Sequence, residues 1–280
     1  MRITVIGLGI IGSVWARHWA KDGHQVRTWN RSAKAEAPGF TADLAEAVRG
    51  AELVAIVVAD PPAVAGVLAR IAPELRAGMV VAQHSTIGVS DTLACAALVQ
   101  GRGAAYLDMP FTGSKPAAEQ RQNVFFIGDD HAVLPRVEAV YRAVAKTLLP
   151  IGAIGQATAI KLSFNLLIAN LNQAMIEALE LARRSGIDPA AWFNALDHNV
   201  AKSGLADLKK PKLLSGDFSP QFSIKHMHKD LRLALAHAAS LGLTMDETAS
   251  VERSYADAEA QGMGDLDFSA LLKQVRGSAG

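Results

Sequence analysis

The chain has 280 residues, 50% of them hydrophobic and 20% charged, enough apolar material for a large buried core and, at this length, for two domains. Lysine and arginine number 28 against 27 aspartates and glutamates, a formal balance of +1, which argues against a nucleic-acid partner held by basic excess. The lone Cys95 can form neither an internal disulfide nor a metal cluster, and fits a reducing, cytoplasmic setting.

Residues 3–6, 25–29, 53–58 and 79–82 are short β-branched and apolar runs that read as strands, and residues 12–22, 44–49 and 61–71 between them read as helices. This alternation is the βαβ rhythm of a parallel sheet, and strands that are apolar almost throughout are covered on both faces. Further strands are expected at 104–108, 124–127 and 147–149. Apolar runs stay short, as in 53–59 ahead of Asp60, whereas a membrane span needs about 20 such residues; no membrane partner is expected. Gly7, Gly9 and Gly12 break the apolar stretch after Arg2, so a signal peptide is not expected either.

After Gly155 the pattern changes. Residues 156–185 contain neither Pro nor Gly, and Gly186 follows as a stop. Ile160, Phe164, Leu167, Leu171, Ala174, Ala178 and Leu181 recur at steps of four and three, which predicts one continuous helix of about 43 Å at 1.5 Å per residue. Asp188 and Pro189 cap the next helix, and residues 225–240 and 245–261 are amphipathic. The expected architecture is therefore an α/β Rossmann-type doubly wound sheet over residues 1–156, followed by an all-α domain over 157–280 on a long interdomain helix. That helical half is expected to carry the substrate cleft and, through apolar surface one chain cannot bury, a homo-oligomer interface.

Gly7-Leu8-Gly9-Ile10-Ile11-Gly12 is a G-x-G-x-x-G run that leaves a strand and opens a helix, the context in which such a run binds a dinucleotide. The first Gly permits the tight turn, the second lets backbone approach a pyrophosphate, and the third lets helix and strand pack closely. The helix N-terminus adds unpaired N–H groups and a positive dipole end. An NAD site places Asp or Glu at the end of the second strand, on the ribose 2′-hydroxyl. Here stand Asn30, Arg31 and Ser32; Arg31 can clamp a 2′-phosphate while Asn30 and Ser32 add hydrogen bonds, so NADP(H) is favoured. On the long helix, Lys161 and Asn165 are four residues apart and share a face. A Lys at the edge of an apolar cleft can act as proton donor, with Asn165 holding the same oxygen or the ammonium. His226 and His228, two apart on a helix, diverge by about 200° and cannot chelate one ion; no metal is expected.

Four motifs in order give the sequence a resemblance, over nearly its whole length, to the β-hydroxyacid dehydrogenase family, also called 3-hydroxyisobutyrate dehydrogenase-like. They are the glycine run with Gly23-His24 and residues 30–32; Asp108-Met109-Pro110-Phe111-Thr112-Gly113-Ser114, similar to a D-x-P-V-S-G-G stretch; Gly152 to Asn165 with its K-x-x-x-N pair; and Lys229-Asp230-Leu231. The stretch around 223–235 looks most like the glyoxylate and succinic semialdehyde reductase branch. The resemblance implies a catalytic Lys161 with Asn165 as partner, and a substrate carboxylate gripped by Thr112, Gly113 and Ser114. It also implies Ser85 and Thr86 near the nicotinamide, Lys229 at the cofactor or active site, and Phe222 as a pocket wall. The implied reaction is NADPH-dependent reduction of a small aldehyde or keto carboxylate. C=N reduction, as in the related imine reductases, and a non-catalytic NADP-binding module are the alternatives; imine reductases typically lack the lysine. Phe111, Ser114 and Trp15 depart from the family pattern and bear on substrate rather than on reaction type.

Overall fold

The computed structural model describes residues 1–277, which form two compact units: residues 1–161, and the chain from Leu162 onward. The division falls inside the long helix, after Lys161, rather than at the helix's first residue.

In the first unit, strands β1 (Arg2–Ile6), β2 (Gln25–Trp29), β3 (Leu53–Ile56), β4 (Val80–Gln83), β5 (Ala105–Asp108), β6 (Phe111–Thr112), β7 (Asn123–Gly128) and β8 (Ala145–Gly152) build one sheet. Its order is β2-β1-β3-β4-β5-β7-β6, with β8 beside β7. The first five strands are parallel, Ile3 lying opposite both Val26 and Leu53, and Leu53 opposite Val80. The parallel pattern read from the sequence stops there. The connection after β5 is only Met109-Pro110, far too short for a crossover, so β6 continues the direction of β5. The chain then returns as β7, antiparallel to both, pairing Asp108 with Gly128 and Phe111 with Phe125.

Helices α1 (Ile10–Lys21), α2 (Leu44–Val48), α3 (Pro61–Ile71), α4 (Val89–Gln100), α5 (Lys115–Glu119) and α6 (Glu138–Arg142) connect these strands. Alternate strand residues feed two separate cores, as a period of two requires. Ile6, Val54, Ile56 and Val81 pack with Leu44, Val64, Leu68 and Ala96 on one face. Ile3, Val5, Leu53 and Ala82 pack with Trp15, Trp19, Val140 and Tyr141 on the other. Both faces are thus buried, which is why the strand sequences are continuously apolar. Asp43 and Asp60 cap α2 and α3 by accepting from Ala45 N–H and Ala63 N–H. Helix α4, opened by Gly88 with Asp91 accepting its N–H at 3.1 Å, fills a stretch in which the sequence pattern predicted no element.

Helix α7 (Gln156–Arg184) begins in the first unit and continues into the second, where α8 (Pro189–Leu196), α9 (Gly204–Ser215), α10 (Ile224–Ser240), α11 (Asp246–Ala260) and α12 (Leu272–Arg276) follow. Asp188 caps α8, as its sequence position predicts. Ala169, Ile176, Phe193, Ile224, Leu231, Val251, Tyr255 and Leu271 form the core of this unit. An ion pair is buried beside it. Lys209 Nζ donates to both oxygens of Asp267, at 2.8 and 3.0 Å, with each side chain almost fully buried, and it sits 4.1 Å from the Phe268 ring centre. Asp267 also accepts from the N–H groups of Gln221, Phe222 and Ser269. Burial pushes its carboxyl up, but Lys209 and these donors outweigh burial and hold it below the usual range.

Candidate functional site

The glycine run adopts the geometry its spacing requires. Gly7 has φ +100°, and a side chain there would run into the Val57 carbonyl, while one at Gly12 would run into the Gly7 carbonyl. At Gly9, the residue that caps α1, an added Cβ meets nothing within 4 Å. The loop is therefore closely packed at its first and third glycines and open at its second, and Ile10 is exposed beside the opening. Leu8 is fully buried and Ile11 packs against the core behind the loop. This fits a dinucleotide whose pyrophosphate rests on the first turn of α1.

At the exit of β2, Asn30 turns inward. Its Oδ1 accepts from Leu8 N–H at 2.9 Å and its Nδ2 donates to the Ser32 carbonyl, so it joins the glycine loop to the β2 exit. Arg31 and Ser32 are exposed, and no carboxylate stands among residues 30–34. Lys34, not among the residues expected at this loop, donates to the Leu8 carbonyl at 2.7 Å. The signal was there: a second cation three residues beyond Arg31 in one loop.

Beyond β4, the two predicted residues behave differently. Ser85 is buried, its Oγ accepting from Val58 N–H at 2.8 Å, and the Gln83 side chain accepts from Ser85 N–H and donates to the Ser85 carbonyl. Thr86 is half-buried beside it. Thr112, Gly113 and Ser114 form the turn between β6 and α5, with Gly113 at φ +123° and exposed. Asp108, at the head of that segment, reaches the start of α7: Oδ2 accepts from Gly155 N–H and Thr158 N–H, at 2.9 and 3.0 Å, and Oδ1 from the Thr158 hydroxyl at 2.7 Å. Lys161 lies one turn after Thr158 and is half-buried, and Asn165 lies one turn after Lys161.

In the second unit, Asn165 and Lys229 meet at one residue. Asn165 Nδ2 donates to Asp230 Oδ2 at 2.5 Å, and Lys229 Nζ donates to Asp230 Oδ1 at 2.6 Å. Asp230 and Asn165 are buried. Asp230 was visible only as the middle of a three-residue motif, since nothing in the sequence shows that α7 and α10 bring it to Asn165. Phe222 is half-buried, stacked on His226 with ring centres 6.0 Å apart, edge-on to Phe268. His228 lies between Glu252 and Glu259. Among the described residues no group of three or more His, Cys, Asp or Glu converges to hold a metal, and no helix is long and apolar enough to cross a membrane.

The model for the NAD binding domain of 6-phosphogluconate dehydrogenase matches residues 2–155, and that for the NAD-binding of NADP-dependent 3-hydroxyisobutyrate dehydrogenase matches 155–275. The chain belongs to the 3-hydroxyisobutyrate dehydrogenase-like family. Its relatives there include the 2-hydroxy-3-oxopropionate reductase of Escherichia coli, 30% identical over 98% of this chain and 97% of that one. The glyoxylate/succinic semialdehyde reductase 1 of Arabidopsis thaliana is 26% identical over 99% of both chains. The 3-hydroxyisobutyrate dehydrogenase of Mycobacterium tuberculosis, solved with L-serine, superposes with a TM-score of 0.90 at 27% identity, covering 98% of this chain and 99% of that one. As a 3-hydroxyisobutyrate dehydrogenase-like chain it is an oxidoreductase of CH–OH groups that uses NADP(H).

Behind the β4 exit and the β5 loop sits a buried histidine. His84 Nδ1 faces the Met109 carbonyl at 2.7 Å, and Nε2 faces the Tyr141 hydroxyl at 2.8 Å. A carbonyl only accepts, so Nδ1 carries the proton and Nε2 accepts from Tyr141. Burial pushes this imidazole from its usual 6.5 down to about 4, against the smaller opposing pull of Met109. The unfolded chain therefore takes up the proton first as pH falls. The stabilisation from neutral His84 is fully present above about pH 6.5 and is lost as pH drops towards about 4, a change of roughly 3 kcal/mol. Urea unfolding at pH 7 and pH 4 is expected to show this loss, and His84→Gln to flatten the pH dependence between them.

Proposed function

We propose that this chain reduces a small aldehyde or keto carboxylate, of the glyoxylate or succinic semialdehyde type, to the hydroxy acid with NADPH. The observation that carries the reading is the anchoring of Lys161. The carboxylate that opens the 108–114 segment also caps the helix that presents Lys161 one turn later. When bound, NADPH would supply hydride chemistry at the carbonyl carbon. Lys161 Nζ gives a proton to the carbonyl oxygen as negative charge builds there, and its own charge stabilises that oxygen. Asn165, tied by Asp230, keeps a polar group one turn along the same helix face, and Lys229 is tied to the same carboxylate. The backbone N–H groups of Gly113 and Ser114, with the Thr112 hydroxyl, hold the substrate carboxylate. Lys161→Ala is expected to lower kcat by about 10²–10⁴-fold, with NADPH affinity unchanged in a fluorescence titration. A variant that keeps most of its rate would sink the assignment.

The same reading assigns the glycine run to the pyrophosphate, approached at Gly9, Ile10 and Ile11 while Gly7 and Gly12 shape the turn and Leu8 lies buried behind it, and assigns Arg31 with Ser32 to the 2′-phosphate. Asn30 and Lys34 hold the Leu8 backbone, and Ser85 and Thr86 are the residues that would hold the nicotinamide end. Guanidinium and phosphate pair in a bidentate way, so Arg31→Ala is expected to raise KM for NADPH by about tenfold and to leave KM for NADH almost unmoved. Equal losses with both cofactors would remove Arg31 from the 2′-phosphate.

The second unit supports a homo-oligomer. Phe164, Leu167 and Leu171, at helical steps along α7, are 42%, 49% and 39% exposed, and Leu181 is 71% exposed. A ridge of large apolar side chains is costly in water and is covered when a second copy packs on it. Light scattering at micromolar concentration is expected to give a dimer or tetramer, and a monomer mass would count against this role of the ridge.

A further inference from the structure

The helix that opens at the glycine loop is joined to the 112–114 loop by a buried polar relay. Trp15, one turn beyond Gly12 on α1, is fully buried, and its indole N–H donates to Asn123 Oδ1 at 2.9 Å. Asn123, also fully buried, starts β7, and its Nδ2 lies 3.4 Å from the Thr112 carbonyl, to which it donates. An added Cβ on Gly113 would stand 2.5 Å from the same Nδ2, so the amide forms the floor on which the loop rests. Aromatic contacts fix the donor end. The Trp15 ring lies 4.9 Å from Phe111 and 5.1 Å from both His84 and Phe125. The β6–β7 ladder sets the register as far as Thr112, opposite Val124, and the Asn123 amide adds a contact from the interior where that ladder ends and the loop begins.

We propose that Asn123, held by Trp15, is a positioning residue that sets the Thr112–Gly113 backbone for the substrate carboxylate and so determines the apparent affinity for the carbonyl acid. This rests on the reading of residues 112–114 as the carboxylate-binding loop. Asn123 touches neither substrate nor cofactor. Its effect passes through the Thr112 carbonyl and the packing under Gly113. A displaced loop weakens carboxylate binding, which appears in KM, while the proton transfer assigned to Lys161 keeps its rate.

The near-isosteric Asn123→Leu leaves the Trp15 N–H buried without an acceptor, so it lowers stability as well as loosening the loop. Combining it with Trp15→Phe removes both polar partners, and stability then returns towards that of the wild type. The double variant separates positioning from folding. Its melting temperature is expected to exceed that of Asn123→Leu alone, while KM for the carbonyl acid stays raised by about five- to tenfold. Values of kcat and of the NADPH dissociation constant are expected to hold within about twofold. A double variant with wild-type KM overturns the proposal, and so does one in which kcat falls while KM stays put. Gly113→Ala, assayed in parallel, tests the loop itself. If it leaves KM for the acid unchanged, the carboxylate-binding reading has failed. If it raises KM while the double variant does not, only the Asn123 relay has.

Discussion

A single buried carboxylate organises the candidate site of the first unit. Asp108 ends β5, opens the segment that leads to Thr112, and accepts three hydrogen bonds from the start of α7. Burial pushes its carboxyl up, and the Thr158 and Gly155 donors pull against that. The bargain is mutual. The first N–H groups of a helix have no partner within it, and a buried carboxylate is costly unless such donors meet it. Residues 152–155, Gly-Ala-Ile-Gly, offer no Ser, Thr, Asp or Asn to cap the helix locally. The helix that presents Lys161 is therefore held at its origin by a residue almost fifty positions earlier. Gly128 keeps the space for it, since a Cβ there would stand 3.1 Å from Asp108 Oδ2 and 2.7 Å from the Ala153 carbonyl.

The parts of the fold that were legible in the sequence are those with local causes. Strands covered on both faces show as unbroken apolar runs, α8 shows by its capped start, and α10 and α11 show as amphipathic stretches whose bounds fall within a residue of expectation. Helix α4 was missed for a related reason. Val89–Gln100 has Thr92, Cys95, Ala96 and Val99 buried but few charges on its outer face, so its small and apolar residues give no contrast between faces. The short β6 and the reversal at β7 were hidden as well, because a two-residue strand has no pattern and its direction follows from the pairing of Phe111 with Phe125.

The site divides along the same line. Glycine spacing is a backbone requirement, and Gly7 and Gly12 meet it through close contacts with Val57 and with the loop itself. Lys161 and Asn165 share a face by helix geometry alone. Asn30 was legible as polar at the right place, but not as the side chain that turns back to Leu8. Gln83, Asn123 and Asp230 were not legible as partners, since each takes its meaning from a residue brought in by the fold: Ser85 across a turn, Trp15 across 108 positions, Asn165 across 65. Polarity in a sequence marks a residue that needs a partner; it does not say which.

That distinction bears on where the molecule tolerates polar burial. Well-packed apolar side chains would serve stability at least as well as most buried polar pairs, whereas removing one partner leaves the other unsatisfied at a cost of about 1–3 kcal/mol. In the first unit, several buried polar side chains with fixed partners stand at strand ends: Gln83, His84 and Ser85 at the end of β4, Asp108 at the end of β5, Asn123 under the 112–114 loop. These are the ends from which an open α/β sheet presents ligand-binding loops. In the second unit, Asn165 and Asp230 join α7 to α10 in the same way. The interiors of the central strands carry little of this chemistry, because their position is already set by the ladder and by packing on two faces. Loops lack both constraints, and a directional bond from the interior is the remaining means of fixing them. At the strand ends of the first unit, buried polarity thus marks backbone segments held by a directional bond rather than by a ladder.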